Sequence, residues 1–179
     1  MAVIRLAVPA DAAALAALAE RTFRDTYAAD NTPADMAAYV AQAYSPAHQA
    51  RELADPAVTT LVAAGPAGEL MAYAQVRSGA APASVTGPAP VELWRFYVDR
   101  VHHGQGLAHQ LMAAVLETAA RRGAATLWLG VWERNARALA FYRKHGFVEV
   151  GAYTFVLGTD RQADRHMARP LVDGRPPAR

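Results

Sequence analysis

Two glycines open an apolar helical pattern in the stretch HHGQGLAHQLM, residues 102–112, directly after the strand-like run VELWRFYV. The first turn of a helix leaves backbone N–H groups unpaired, and the helix dipole places partial positive charge there. Glycine lets a phosphate approach that backbone closely, although a tight strand-to-helix turn also needs glycine. The loop is therefore a candidate anion-binding site, with a plain turn as the alternative.

Two common nucleotide-binding patterns do not fit this loop. A Walker A loop requires Lys and then Ser or Thr after the last glycine, whereas Leu107 and Ala108 follow Gly106. The dinucleotide fingerprint requires three glycines and an acid about 20 residues on, at the end of the next strand. The strand-like run ATLWLGVW reaches no acid before Glu133. These mismatches disfavour ATP binding of the Walker type and a Rossmann fold.

Short strands and helices surround the loop. The run VIRLAV predicts a strand, and Asp11 stands at the expected N-cap of a core-facing helix, AAALAALAERTFRDTY. Two further helices are expected before residue 57, opened by Thr32-Pro33 and separated at Ser45-Pro46. The runs TTLVAA and LMAYAQVR predict an antiparallel hairpin. The Gly-, Ala- and Pro-rich stretch that follows predicts a mobile surface loop, residues 78–90.

The second half of the chain repeats the alternation of strand and helix. The run VELWRFYV predicts a strand, and a helix is expected from Leu107 to near Gly123. After the strand ATLWLGVW, Asn135 can cap the helix ARALAFYRKH, which Gly146 ends. The runs FVEVGAYTFVL and RHMARPL predict the last two strands.

Composition limits the class of protein. The chain has 179 residues with 53% hydrophobic content, enough for one domain with a full core. The formal net charge is only +2 and no basic run occurs, which disfavours nucleic acid as a partner. No cysteine is present, so disulfides, thiolate metal sites and cysteine nucleophiles are excluded. Without a signal-like start or a long apolar stretch, we expect no membrane association and a cytoplasmic protein.

Two blocks of the sequence resemble the GCN5-related N-acetyltransferase (GNAT) family. They are FYVDRVHHGQGLAHQLM and, about 20 residues later, LWLGVWERNARALAFYRKHGFVEV. The resemblance implies an α+β fold, a mixed α/β arrangement whose mostly antiparallel central sheet is splayed between the fourth and fifth strands and flanked by helices. We expect a single domain over residues 1–172 and a flexible tail over residues 173–179.

The resemblance implies acetyl-CoA as cosubstrate and assigns its binding residues. The family loop pattern begins with Gln or Arg, and His103 departs from it at that position. Backbone N–H groups of the loop are expected to bind the pyrophosphate, and the strand backbone to pair with pantetheine. The predicted cofactor-binding residues are Phe96, Tyr97, Val98, His103, Gly104, Gln105, Gly106, Leu107, Ala108, Asn135, Tyr142 and Lys144. No metal is expected, because the consecutive His102 and His103 point apart and have no carboxylate partner at helical spacing.

Two residues are candidates for proton transfer. Tyr142 matches the family tyrosine that protonates the CoA thiolate, and its phenol has a pKa near ~10, which suits a thiol leaving group. Glu92 lies six residues before Val98, where some branches of the family carry a general base. Strand alternation predicts Glu92 on one face with Trp94, Phe96 and Val98. The alternatives are a packed aromatic for Tyr142 and a solvated strand-end charge for Glu92.

The resemblance implies acetyl transfer to an amine by direct attack in a ternary complex, without a covalent enzyme intermediate. The front half of the chain looks like the branch of the family that includes bacterial polyamine acetyltransferases, which favours a small amine such as spermidine. Acids that could attract a polycation are scattered over Asp25, Asp30, Asp35 and Glu92. A protein N-terminus or lysine as acceptor, and a non-catalytic acetyl-CoA sensor, stay open as alternatives, and a homodimer is compatible with the sequence.

Overall fold

The computed structural model describes residues 2–157 and 160–171. The described residues form five α-helices: α1 (Ala12–Tyr27), α2 (Pro33–Ala43), α3 (Pro46–Ala54), α4 (Leu107–Arg121) and α5 (Ala136–Lys144). They also form seven strands: β1 (Val3–Leu6), β2 (Val58–Ala64), β3 (Leu70–Arg77), β4 (Pro90–Val98), β5 (Thr126–Trp132), β6 (Val148–Leu157) and β7 (Asp160–Pro170). The predicted sequence of elements is confirmed, and β7 begins five residues earlier than its apolar run indicates.

The strands form one sheet in the order β1-β2-β3-β4-β5-β7-β6. All neighbours are antiparallel except β4 and β5, which run parallel. The β4–β5 ladder joins only Pro90–Glu92 to Thr126–Trp128. Beyond those residues the two strands diverge, so the predicted splay between the fourth and fifth strands is confirmed.

The two faces of the sheet bury different helices. Leu111, Met112 and Val115 of α4 belong to the core on one face. Leu15, Leu18 and Phe23 of α1 belong to the core on the other, together with residues of α2. Because both faces are covered, the β4–β5 gap opens between two packed layers and has rigid walls.

Trp94 lies in a β-bulge of β4. Two adjacent residues of β3 pair with Leu93 and Arg95, so Trp94 has no β3 partner of its own. Leu93 before the bulge and Phe96 after it consequently pack in the same core on the α4 side. Glu92 alternates with Leu93 and therefore faces the opposite side of the sheet. The prediction that Glu92 shares a face with Phe96 is wrong, because the extra residue shifts the alternation.

The predicted helix caps are confirmed with one exception. The hydroxyls of Thr32 and Ser45 and the amide oxygen of Asn135 each accept a backbone N–H at the start of α2, α3 and α5. Asp11 occupies the N-cap position of α1 but makes no capping bond. Its carboxylate instead accepts from the backbone N–H of Val8 at 2.8 Å and from the Arg5 guanidinium at 2.7 Å. The ion pair with Arg5 thus displaces the expected cap.

The loop between β3 and β4 is anchored at its centre. Val85 is buried and packs with Trp128 of β5 and Ala168 of β7. The neighbouring Ser84 hydroxyl lies 2.9 Å from His166 Nδ1. The sequence predicted a mobile surface loop here, but at its centre one apolar side chain fastens the loop to the sheet. The predicted tail lies outside the described residues. Within the described ranges no helix is long and apolar enough to cross a membrane.

Candidate active site

The β4–β5 gap opens into a cleft of about 840 Å³. Its walls come from the second half of α1, the end of β4, the loop over residues 100–106, the first turn of α4 and one side of α5. Trp132 at the end of β5 closes one side. The cleft is therefore assembled around the point at which the parallel ladder stops.

The glycine loop lines one end of this cleft. Gly104 and Gly106 have φ values of +76° and +79°, a conformation that favours glycine over residues with a Cβ. The Gly106 carbonyl accepts the N–H groups of His109 and Gln110, which begin the α4 ladder. The backbone N–H groups of Leu107 and Ala108 precede that ladder and point out of the helix end. This geometry suits a pyrophosphate.

His103 is held by two hydrogen bonds within the protein. Its Nε2 lies 2.9 Å from the Val98 carbonyl oxygen, which can only accept, so Nε2 carries the proton. Its Nδ1 lies 2.6 Å from Arg137 Nη1, which can only donate, so Nδ1 is the acceptor. In this arrangement neither ring nitrogen is left to donate to a phosphate. His103 instead positions the Arg137 guanidinium beside the loop.

The backbone of β4 faces the gap at the predicted residues. The Asp99 N–H donates to the Met71 carbonyl of β3 at 2.9 Å, so alternate backbone groups of β4, including those of Tyr97, face β3. The backbone polar groups of Phe96 and Val98 consequently face the gap, beyond the end of the β4–β5 ladder. The Val98 carbonyl is used by His103, which leaves the Phe96 backbone as the group best placed for a ligand carbonyl.

Tyr142 lies on the cleft wall inside an aromatic cluster. Its ring centroid is 6.3 Å from that of Phe96 and 5.7 Å from that of Phe147. Burial raises the pKa of the Tyr142 hydroxyl well above its ordinary value, so the phenol is protonated at every pH at which a folded enzyme operates. The hydroxyl is therefore a hydrogen-bond donor on a residue that lines the same cleft as Phe96.

Asn135 combines the two roles that the sequence left open. Its Oδ1 accepts the Ala138 N–H at 3.1 Å and caps α5. The same residue lines the cleft. The cap uses the amide oxygen, so the side chain is held rigidly at the cleft wall.

Three predicted site residues lie outside the cleft lining. Glu92 accepts from the Arg77 guanidinium at 2.5 Å, near the closed end of the ladder. Gln105 is exposed and donates to the Val101 carbonyl at 3.0 Å. Lys144 is exposed, because two residues beyond Tyr142 is more than half a turn around α5. The loop motif predicts where the cleft lies, but it does not show which residues near the motif in sequence point away from the cleft.

The sequence predicted no site role for several lining residues, and it named Asp25 only as one of four scattered acids. Arg100 and Arg137 place positive charge beside the glycine loop, and Thr22, Asp25 and Thr26 of α1 form the facing wall. Arg137 lies two residues after Asn135, so the capped helix start was a signal that could have found it. The α1 residues carried no such signal, because Thr22 falls on the apolar stripe of that helix.

The sequence pattern of the acetyltransferase (GNAT) family matches residues 14–147. The chain belongs to the GNAT family. An uncharacterized N-acetyltransferase of Mycobacterium tuberculosis is 39% identical over 162 residues, which cover 90% of this chain and 99% of that protein. An uncharacterized N-acetyltransferase of Lactobacillus delbrueckii is 31% identical over 156 residues, which cover 87% of this chain and 90% of that protein.

Solved structures share the GNAT fold. The PaiA N-acetyltransferase of Thermoplasma acidophilum in complex with coenzyme A has a TM-score of 0.74 at 18% identity, covering 95% of this chain and 99% of that one. A putative acetyltransferase of Salmonella typhimurium with acetyl-CoA has a TM-score of 0.69 at 23% identity, covering 99% and 98%. This GNAT protein is an acetyl-CoA-dependent N-acetyltransferase.

The residues of the cleft fit acetyl-CoA. Positive-φ glycines and free helix-end N–H groups suit the pyrophosphate, and Arg100 and Arg137 add charge for phosphate. The unpaired edges of β4 and β5 can hydrogen-bond the amide groups of a pantetheine arm. The cleft leads from this charged end to Tyr142, so a long cosubstrate reaches the aromatic cluster.

Proposed function

We propose that this GNAT enzyme transfers an acetyl group from acetyl-CoA to a small primary amine by direct attack. The observation that carries the proposal is the position of Tyr142 at the gap where β4 and β5 stop pairing. The gap offers a backbone donor and a phenol donor side by side. An acyl transfer needs one donor for the carbonyl oxygen and one for the leaving sulfur.

The residues of this chain divide the work along the cleft. The N–H groups of residues 104–108 and the Arg137 guanidinium bind the phosphates of the cosubstrate. The Phe96 N–H stabilises negative charge on the thioester oxygen. The Tyr142 hydroxyl donates a hydrogen bond to the leaving sulfur. The raised pKa of this phenol keeps the proton on the Tyr142 oxygen until negative charge develops on the sulfur. Asn135 orients the arm between them.

The cover over the acceptor side supports a small acceptor. Tyr39 of α2 stacks on Phe23 of α1 at a centroid distance of 4.6 Å. It also meets Phe155 of β6 edge-on at 6.1 Å. These contacts tie α2 to the far strand of the sheet, and we propose that this cover closes the front of the gap. A walled pocket of this kind favours a short amine over an extended peptide.

The acidic residues do not gather into a channel for a polycation. Asp25 lines the cleft, whereas Asp30 lies 3.9 Å from Arg134 and Glu92 pairs with Arg77. Asp35 shares the N-cap of α2 with Thr32. Spermidine is therefore one member of the proposed class of small primary amines, with no residue set dedicated to its full length.

A peptide α-amine is the second candidate acceptor. A ribosomal protein bS18 alanine N-acetyltransferase of Escherichia coli is 40% identical over 57 residues, which cover 32% of this chain and 38% of that protein. Since the match covers a third of the chain, it supports the shared acetyl transfer more than the acceptor.

The test is release of CoA with a panel of acceptors: putrescine, spermidine, a simple monoamine and a short peptide with a free N-terminal alanine. The proposal expects kcat/KM to be at least tenfold higher for a small amine than for the peptide. A preference for the peptide would refute the small-acceptor assignment and leave the acetyltransferase activity in place.

A further inference from the structure

A carboxylate and a phenol meet on the sheet face opposite α4, next to the β4–β5 gap. In the strand register, Asp164 of β7 lies opposite Trp132 of β5 and Tyr153 of β6. The Tyr153 hydroxyl donates to Asp164 Oδ2 at 3.0 Å. Asp164 is only 8% exposed, and its Oδ1 is buried without a hydrogen-bond partner within the described part of the chain. Such an oxygen is costly to bury, so the arrangement calls for a cationic ligand.

Gly130 connects this pair to the gap. It is the exposed residue of β5, whose other residues are all buried. Because β5 stops pairing with β4 after Trp128, the backbone around Gly130 borders the opening. A Cβ at Gly130 would lie 2.5 Å from the Tyr153 hydroxyl oxygen. The phenol oxygen therefore lies directly over the Gly130 backbone, on the sheet face opposite α4.

The Tyr153 ring is held in place by the His166 ring. It stacks on His166 at a centroid distance of 4.4 Å and an interplanar angle of 14°. His166 Nδ1 in turn lies 2.9 Å from the Ser84 hydroxyl, in the loop that Val85 anchors. The carboxylate is thus oriented by a phenol that is itself held by a stacked imidazole. The Asp164 carboxylate is therefore held in a fixed orientation, unlike the carboxylate of a solvent-exposed acid.

Aromatic side chains flank the carboxylate on the helix side. Tyr27 of α1 packs against Trp132 at 5.5 Å, and Trp132 lines the acetyl-CoA cleft. Burial raises the pKa of Tyr27 to about 12, and the nearby charge of Asp164 adds to that rise. Burial also raises the pKa of Tyr39, and Asp164 again contributes. Electron-rich ring faces beside one carboxylate favour an ammonium ion.

We propose that Asp164 binds the ammonium group of the acceptor and accepts its proton, and that Tyr153 positions the carboxylate. The inference rests on the proposed transfer to an amine and adds the residue that recognises it. It also replaces Glu92, whose carboxylate is engaged by Arg77.

Protons and electrons balance in the proposed transfer. Asp164 takes one proton from the ammonium, and the freed nitrogen lone pair forms a bond to the thioester carbonyl carbon as the carbonyl π pair moves onto oxygen. That pair returns as the carbon–sulfur bond breaks, and sulfur leaves with the bonding pair and takes the Tyr142 proton. The nitrogen loses a second proton to water, Tyr142 regains one from water, and Asp164 releases its own, so one proton is liberated per amide formed.

The surroundings of Asp164 suit it to proton transfer. Burial raises its pKa, the charge of Glu133 raises it further, and the Tyr153 hydrogen bond opposes the rise. The charge of Asp164 in turn contributes to the raised pKa values of Tyr27 on α1 and Tyr39 on α2. A carboxylate with a raised pKa is a stronger base than an exposed one.

The test is Asp164→Asn, which keeps the shape and an acceptor for the Tyr153 hydroxyl. With putrescine or spermidine as acceptor, kcat/KM is expected to fall about 100-fold, the acidic limb of its pH profile to disappear, and the Kd for acetyl-CoA to stay unchanged. Asp11→Asn is the matched control: it removes a carboxylate of a distant ion pair and should leave all three measurements as in the parent.

A second variant distinguishes a positioning role of Tyr153 from a purely packing role. Tyr153→Phe keeps the stack on His166 and removes the hydrogen bond that lowers the Asp164 pKa, so the acidic limb should move to higher pH. A purely structural Asp164–Tyr153 pair predicts no movement of that limb. This measurement decides the matter even where Asp164→Asn folds poorly.

The outcomes distinguish the inference from the proposed function. Parent-like turnover and pH profile in Asp164→Asn would overturn the Asp164 assignment while the amine transfer stands. Loss of activity with the alanine peptide as the preferred acceptor would support Asp164 and refute the small acceptor. If the parent neither acetylates an amine or peptide of the panel nor changes its melting temperature with them, both proposals are wrong.

Discussion

The two ends of the β4–β5 gap are built in opposite ways. At the phosphate end, the ligand-facing groups are backbone N–H groups within residues 104–108, exposed by two glycines with positive φ. At the proposed acceptor end, they are side chains of α1, α2, β6 and β7, gathered from Tyr27 to Asp164. The first end is local in sequence, and the second exists only after the sheet has assembled.

This difference explains what each end can tolerate. A backbone site depends on conformation, so it restricts residue type at the glycines and leaves neighbouring side chains free. A side-chain site depends on the register of distant strands, so its residues can change whenever the acceptor changes. The contrast predicts that substitutions at the two ends separate cosubstrate binding from acceptor use.

Tyr142 lies where the two ends meet, and its replacement should have the largest effect on chemistry apart from that of Asp164. Tyr142→Phe keeps the contacts with Phe96 and Phe147 and removes the donor to sulfur. We expect kcat to fall about 100-fold with an unchanged Kd for acetyl-CoA, measured by single-turnover kinetics and calorimetry. An unchanged chemical step would leave Tyr142 as a packing residue only.

The backbone nature of the phosphate end is tested at Gly106. Gly106→Val forces a β-branched residue into φ of +79°, and the loop must shift to relieve it. The Kd for acetyl-CoA should rise about tenfold. Gly68→Val is the control, because Gly68 has φ of +85° in the distant β2–β3 turn. Equal weakening of acetyl-CoA binding in both variants would mean that general destabilisation, and not the loop, is responsible.

Side-chain charge should matter less than backbone at the phosphate end. Arg137→Gln removes the guanidinium that His103 positions, so affinity for acetyl-CoA should fall roughly fivefold, with a weaker salt dependence. Acetyl-pantetheine, which lacks the pyrophosphate, should be used equally by variant and parent. Arg143→Gln, on the same helix but paired with Glu149 outside the cleft, is the control. A matching loss with acetyl-pantetheine would contradict the phosphate contact.

Glu92 is the other carboxylate considered as general base, so its replacement is the comparison for Asp164→Asn. Glu92→Gln weakens only the ion pair with Arg77, so we expect kcat/KM within twofold of the parent, the same pH profile, and a loss of about 1 kcal/mol in the free energy of unfolding. A missing acidic limb in this variant, measured by steady-state kinetics from pH 5 to 9, would return the role of base to Glu92.

The smallest expected effects are changes in melting temperature. They have opposite signs for Asp164→Asn and Asp11→Asn at pH 7. Burial raises the pKa of Asp164 in the fold, so its stabilising contribution is present below about pH 4 and is lost as pH rises through the folded pKa. Asp164→Asn should therefore raise the melting temperature at pH 7 and not at pH 4.

Asp11 shows the reverse. The Arg5 hydrogen bond lowers the pKa of Asp11, so its contribution is present above about pH 4 and is lost as pH falls through the folded pKa. Asp11→Asn should lower the melting temperature at pH 7 and progressively less toward pH 3. Thermal unfolding at three pH values gives both signs, and equal signs would contradict the environment assigned to Asp164.

Prediction from sequence succeeded where the signal is local. The caps at Thr32, Ser45 and Asn135 and the glycine loop each depend on a few consecutive residues, and the structure has all of them. It failed at Glu92, because a single bulge residue, Trp94, changed the face on which that glutamate lies. It also failed at Asp11, where Arg5 offered the carboxylate a charged partner.

The sequence by itself determined the order of the elements, the family, and the glycine loop that is proposed to bind the phosphates, since capping, φ preference and hydrophobic period are properties of neighbouring residues. Only the tertiary structure decided that Arg137 hydrogen-bonds to His103, that Glu92 pairs with Arg77, and that Asp164 lies opposite Trp132. Those relations depend on strand register and on where a parallel ladder stops, which no short stretch of chain encodes.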